Sequence, residues 1–147
     1  MAGIRTYNSG RVTVIFNGFN ITGFADGTFI NVTQQNDGIT TQVGADGELA
    51  RAINTDRRCT VTVTLQQTSP ANDFLSTMYS VDSLTCGGRI GPILIQDLCG
   101  DTMFSASDAW IVKPADIEFG KEVATRAWQI HTGAPAVYTV GGNAISN

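Results

Sequence analysis

The stretch Cys59-Thr60-Val61-Thr62-Val63-Thr64-Leu65-Gln66 decides the class of the fold. Cys59, Val61, Val63 and Leu65 point one way, and Thr60, Thr62 and Thr64 point the other. Successive side chains of a strand leave opposite faces, so unbroken period-two alternation with β-branched residues predicts a half-buried strand. Its outer face carries no charge. Thr60 to Gln67 also lacks the lysine or proline that blunts an exposed sheet edge, so it reads as an edge open to pairing with another chain.

Working outward, Arg11 to Asn17 alternates in the same way, with Val12, Val14 and Phe16 inward. Phe104 to Val112 offers Phe104, Trp110 and Val112 on one side. Ile93-Leu94-Ile95 behind Pro92 is continuously apolar, as expected of a strand covered on both faces. Val123 to Thr132 sets Arg126, Trp128 and Ile130 against Gln129 and His131, and Val137 to Val140 adds a last short strand. One segment departs from this pattern. Ser69-Pro70-Ala71-Asn72-Asp73 supplies an N-cap serine, proline at the first helical position and an early acid, and Phe74, Leu75, Met78 and Val81 follow at helical spacing. The expectation is mainly β: an antiparallel β-sandwich or partial barrel with one flanking α-helix at about residues 70–82, its apolar stripe facing the core.

Turn signals fall at Asp26-Gly27, Asp37-Gly38 and Asp46-Gly47. The last two bracket Ile39 to Ala45, and the stretch from there to Arg58, ADGELARAINTDRR, is the most charged of the chain, so residues of about 37–58 read as a long hairpin arm. Asp46, Glu48 and Asp56 alternate there with Arg51, Arg57 and Arg58, a pattern suited to docking between subunits. The same pattern also fits a solvated hairpin with weak surface ion pairs.

The 147 residues fit one domain, 1–147, of a size that buries a core without staples. Only 15% are charged, against about a quarter in an average protein. A surface of hydroxyls and amides is cheaper to bury against partners than a charged one. The net charge of −4 lacks the basic footprint of a nucleic-acid binder. Met1 to Ser9 has no apolar signal core and no apolar run has the length of a membrane span, so the expectation is a soluble chain made in the cytoplasm.

Chemistry finds little support. Cys59, Cys86 and Cys99 are an odd set without a C-x-x-C pair, which predicts neither a disulfide framework nor a zinc site. His131 is the only histidine and sits beside Ile130 and Thr132 with no nucleophile motif. Asp97, Asp101 and Asp108 lack calcium-loop spacing, and Gly87-Gly88-Arg89-Ile90-Gly91 lacks the Lys-Ser/Thr of a phosphate loop. The expectation is a non-enzyme without cofactor or metal.

Val43-Gly44-Ala45-Asp46-Gly47-Glu48, Arg51, Asp56-Arg57, the strand to Leu65 and the helix start Gln67 to Asp73 together resemble a family of bacteriophage structural proteins. A second block agrees: Phe104-Ser105-Ala106, Ala109-Trp110-Ile111, Lys113-Pro114 and Glu118 to Val123, with Arg126 and Trp128; Phe24 to Phe29 adds a third. The family is that of tail tube proteins of contractile-tailed phages, with a fold similar to the Hcp protein of type VI secretion. Cys59 and Cys86 depart from its pattern, as does the stretch from Ala134 to Asn147. The resemblance implies a homo-oligomer of hexameric rings stacked into a hollow tube, with sheath, baseplate and tail terminator proteins as partners. DNA would pass through the lumen without specific binding, and the protein would reside in the virion tail after assembly in the host cytoplasm. It also implies that the arm contacts stacked rings through Asp46, Glu48, Arg51, Asp56, Arg57 and Arg58. Two rival readings are another ring-forming tail protein, such as a terminator, and a carbohydrate-binding β-sandwich with Trp110 or Trp128 exposed on a flat face. A small hydrolase would need a pocket around His131 or an acidic pair.

Overall fold

A computed structural model describes residues 3–146. Met1, Ala2 and Asn147, included in the expected 1–147 unit, lie outside the described residues. The elements in chain order are β1 (Ile4–Arg5), a 3-10 turn (Ser9–Arg11), β2 (Val12–Phe16), β3 (Phe19–Asn20), β4 (Ile30–Gln34), β5 (Ile39–Val43), β6 (Leu49–Ile53), β7 (Cys59–Gln66), α1 (Ala71–Leu84), β8 (Gly91–Asp97), β9 (Met103–Lys113), β10 (Thr125–Thr132), β11 (Val137–Thr139) and β12 (Ile145–Ser146). The main antiparallel sheet runs β3-β2-β8-β9-β10-β7-β4, with β11 also paired to β9.

The alternation of Cys59 to Leu65 has the expected outcome: Cys59, Val61, Val63 and Leu65 are all fully buried. The position of this strand differs from the expectation. β7 is not an edge; β10 pairs it on one side and β4 on the other. Its missing charge and proline are those of an inner strand, whose backbone groups are satisfied by two neighbours and need no guard. Edge positions fall to β4, to the two-residue β3 and to β11, which among the described residues pairs with β9 alone.

β9 also corrects the sequence reading. Phe104 and Ala106 face the core, but so do Ala109 and Ile111, while Trp110 and Val112 lie on the opposite, partly covered face. The register against β8 shifts between Gly91↔Ala109 and Ile93↔Ala106, which places one extra residue of β9 at Ser107-Asp108. Such a bulge breaks period two and exchanges the faces beyond it. Beside it, β10 pairs with the second half of β9 and β11 with the first, bridged by Gly133 N–H to the Asp108 carbonyl (3.0 Å) and Ala136 N–H to the Ser105 carbonyl (2.8 Å). β8 is fully covered on one face and partly on the other: Ile93 and Ile95 are buried, and Leu94 is half-buried. In β10, Trp128 and Ile130 are buried as expected, and the Trp128 indole N–H donates to Asn72 Oδ1 at 3.0 Å.

The helix begins as its signals require. Pro70 has helical angles, and the Ala71 N–H donates to Ser69 Oγ at 3.2 Å, so Ser69 is the cap. The Ser69 hydroxyl in turn donates to the Thr22 carbonyl at 2.6 Å. This contact brings Gly23 against the serine: Gly23 has φ +79°, and a Cβ there would lie 2.5 Å from Ser69 Oγ. Ala71, Leu75 and Met78 join the core formed by the inner faces of β2, β7, β8, β9 and β10, and Phe74 stacks on Phe19 at 4.2 Å between ring centroids.

The sheet curls into a partial barrel with two different ends. At one, Asn17, just past β2, donates from its side-chain amide to Met78 of the helix. Val12, at the start of β2, lines an open cleft at the other. Tyr138 of β11 reaches across this end, stacking edge-on against Phe104 and donating its hydroxyl to the Val32 carbonyl of β4 at 3.3 Å. β1 and β12 pair beside it, and Arg5 donates to the Asn143 carbonyl at 2.7 Å.

Candidate assembly interface

The arm at residues 37–58 is a hairpin. β5 and β6 form a separate two-stranded sheet in register Ile39↔Ile53, Thr40↔Ala52, Thr41↔Arg51, Gln42↔Ala50 and Val43↔Leu49. Every residue of both strands is exposed. The turn is closed by Gly44 N–H to the Glu48 carbonyl (2.8 Å) and Gly47 N–H to the Gly44 carbonyl (3.0 Å), with Gly47 at φ +87°. Asp46 serves this turn, its Oδ1 accepting from Glu48 N–H at 3.1 Å.

Residues opposite one another in an antiparallel pair share a face, and alternate residues along a strand do too. The register therefore places Ile39, Val43, Leu49 and Ile53 on one side of the hairpin, with Thr41 and Arg51 between them. The other side carries Thr40, Gln42, Ala50 and Ala52. The four aliphatics are 53%, 66%, 69% and 65% exposed. An isolated two-stranded hairpin is marginal in water, because nothing covers its apolar face. Sequence reasoning fixed on the charges and missed this face, although Ile39-x-Thr41-x-Val43 and Leu49-x-Arg51-x-Ile53 show it once Asp46-Gly47 is taken as the turn.

The six predicted interface residues do not act alike. Asp56 and Arg58 pair with each other at the base of the arm: Arg58 Nε and Nη2 donate to the two carboxylate oxygens at 2.8 and 2.9 Å, and Asn36 adds a third contact at 2.7 Å. The Arg58 guanidinium, then its backbone N–H, hold the Asp56 carboxyl down to about 2. The ion pair is local to the segment leaving β6, and the Asn36 contact joins the two sides of the arm's base. Glu48, Arg51 and Arg57 are exposed and form no ion pair among the described residues.

The cleft at the open end has a volume of about 590 Å³. Phe29, Ile30, Val32, Phe104, Tyr138 and Val140 supply much of its wall. Among the described residues Asp97 is the one carboxylate in its lining, which includes no Lys or Arg side chain. Asp97 accepts from Cys99 N–H through Oδ1 and from the Asn143 side-chain amide through Oδ2, each at 2.9 Å.

Other candidate groups lie elsewhere. His131 is on the outer face of β10, opposite Trp110 and Thr60. Trp128 is 4% exposed and Trp110 half-covered, so neither offers the flat exposed indole of a sugar-binding face. Among the described residues no group of three His, Cys, Asp or Glu side chains could hold a metal ion, and no helix is long and apolar enough to cross a membrane. Cys59 is buried, which pushes its thiol pKa up, and it is free like Cys86 and Cys99.

Comparison with known proteins gives this geometry a context. The chain is 30% identical over 146 residues to Structural protein ORF10 of Pseudomonas phage KPP10, an alignment covering 94% of this chain and 83% of that protein. Its fold is similar to the tube-terminating cap of the anti-feeding prophage, with a TM-score of 0.63 at 9% identity over 98% of this chain and 95% of the other. It is also similar to the sheath/tube terminator of the PVC extracellular contractile injection system, with a TM-score of 0.56 at 10% identity over 88% and 94%. The model of the bacteriophage PhiTE tail tube protein family matches residues 5–137. The chain therefore belongs to the bacteriophage PhiTE tail tube protein family, and its role is structural.

Proposed function

We propose that this protein assembles with copies of itself into hexameric rings that stack as a hollow tube, the conduit for DNA through a contractile phage tail. The observation that carries the reading is the arm: a two-stranded sheet, joined to the body at its base, with four aliphatic side chains more than half exposed on one face. Exposed apolar area on a marginal element marks a surface completed by a partner. Family membership supplies the kind of partner, and the low charge of the chain makes burial of its surface inexpensive.

In this reading residues 37–58 dock on a neighbouring ring, with Glu48, Arg51 and Arg57 meeting the neighbour. Asp46, Asp56 and Arg58 keep the arm in shape. The net charge of −4 on each subunit lets a duplex pass without counterion-release affinity. Sheath, baseplate and terminator proteins complete the tail, and the protein resides in the virion after assembly in the host cytoplasm.

A second reading, a terminator that forms a single ring, is favoured by the resemblance of the fold to two terminating caps. Electron microscopy of the purified protein separates the two. Long hollow filaments support the tube, isolated rings support the terminator, and monomers at every concentration refute both.

A further inference from the structure

We propose that the receptor for the arm is the open-end cleft of a neighbouring copy, with Arg51 pairing to Asp97. The inference rests on the assembly reading above and names the surface that receives the arm.

The argument is one of matched incompleteness. Each chain carries an apolar face that the described residues leave more than half exposed, and a cleft of about 590 Å³ walled largely by aromatic and aliphatic side chains. The apolar residues of the arm come as two cross-strand pairs, Ile39↔Ile53 and Val43↔Leu49, flanking Thr41↔Arg51. At about 3.4 Å per residue the pairs sit roughly 13–14 Å apart with the guanidinium between them. Among the described residues, Arg51 is the only charge on the strands' apolar face, and Asp97 is the only charged side chain in the cleft lining. The signs are opposite, and a cation placed among apolar side chains needs such a partner when it docks. Asp97 is held in position by Cys99 N–H and Asn143, which leaves a carboxylate lone pair for a guanidinium.

The two surfaces are different patches of one chain, so the contact is heterologous. Heterologous contacts generate rings or open filaments instead of closed two-fold dimers. The edge strand β4 borders the same cleft through Ile30 and Val32, so an arm seated there also lies beside a sheet edge that no strand among the described residues pairs.

Cysteine cross-linking in assembled full-length protein tests the docking. In a Cys86→Ser, Cys99→Ser background, Leu49→Cys on the arm is combined with Val140→Cys at the cleft rim; Leu49 and Val140 are 69% and 82% exposed, so the core is untouched. Mild oxidation of tubes should give a covalent ladder on a denaturing gel. A control pairing Leu49→Cys with Ser83→Cys near the end of α1 should give none. Adding Arg51→Glu should raise the concentration needed for tubes, and for the ladder, by about tenfold or more. Tubes without a ladder, an equal ladder from the control, or a cross-link confined within single chains would each overturn the proposal while leaving the assembly reading in place. A parent protein that forms no tubes or rings would refute the assembly reading, and this proposal with it.

Discussion

Replacing Val43 and Leu49 together by threonine separates the part of the arm that folds the chain from the part that joins chains. The two residues face each other across the hairpin and are 66% and 69% exposed, so the folded subunit gains little from them. Threonine keeps strand propensity, and a cross-strand Thr–Thr pair is itself favourable. The subunit should therefore melt within a degree or two of the parent, in line with about ±0.5 kcal/mol for surface substitutions. Assembly should respond differently. Full burial of a Val or Leu is worth about 1.5–3 kcal/mol, and roughly two-thirds of that surface is still available to a partner, or about 1–2 kcal/mol for each residue. Losing most of it, and burying a hydroxyl in its place, costs about 2–4 kcal/mol at each interface. That corresponds to a shift of about 30- to 1,000-fold in the concentration at which polymers appear. Sedimentation velocity across a concentration series, with circular dichroism melts in parallel, reads both quantities. Polymers forming at the parent's concentration would refute the reasoning, and so would a large drop in melting temperature, which would mean the face is already packed within one subunit.

Three further outcomes follow from particular contacts. Because the Asp56 carboxyl titrates near 2 in the folded protein instead of near 3.8, its pairing with Arg58 favours the folded state at pH above about 4 and is lost as pH falls through 2; an NMR titration should show this midpoint, and Arg58→Ala should return it towards the ordinary value. Gly23→Ala should destabilise the fold by about 2–4 kcal/mol in urea, since it adds a positive-φ penalty and drives a methyl into the serine that caps the helix; an unchanged midpoint would show that Ser69 can move aside without loss. The protein should show no duplex DNA affinity at physiological salt, and micromolar binding with a steep salt dependence in a gel-shift titration would count against an inert conduit.

Where alternation or capping is local, the sequence already contained the result. Cys59 to Leu65, Val14 with Phe16, Trp128 with Ile130, and the Ser69-Pro70 helix start carry their structural consequence within a few residues. Three features did not show. The bulge at Ser107-Asp108 inverts the second half of β9, and no residue type marks it, because the register shift is a property of the pairing with β8. β7 resembled an exposed edge because sequence does not say how many neighbours a strand has. The cleft draws on β2, β4, β8, β9 and β11, so no single window of sequence contains it. For the interface, alternating charge suggested six equivalent residues, whereas bidentate geometry shows that Asp56 and Arg58 are occupied with each other.

The inner position of β7 also bears on how the chain comes off the ribosome. β4 precedes β7 and can pair with it early, but β10, its other neighbour, begins only at Thr125. At about 5–20 residues per second, β7 waits roughly 3–13 seconds with one backbone edge open and its aliphatic face incompletely covered. An uncharged, β-branched strand in that state is a template for pairing with other nascent chains. In a cell making many copies at once, the risk of aggregation is therefore concentrated in the interval between the synthesis of β7 and that of β10, and a chain interrupted before residue 125 should be far less soluble than the complete one.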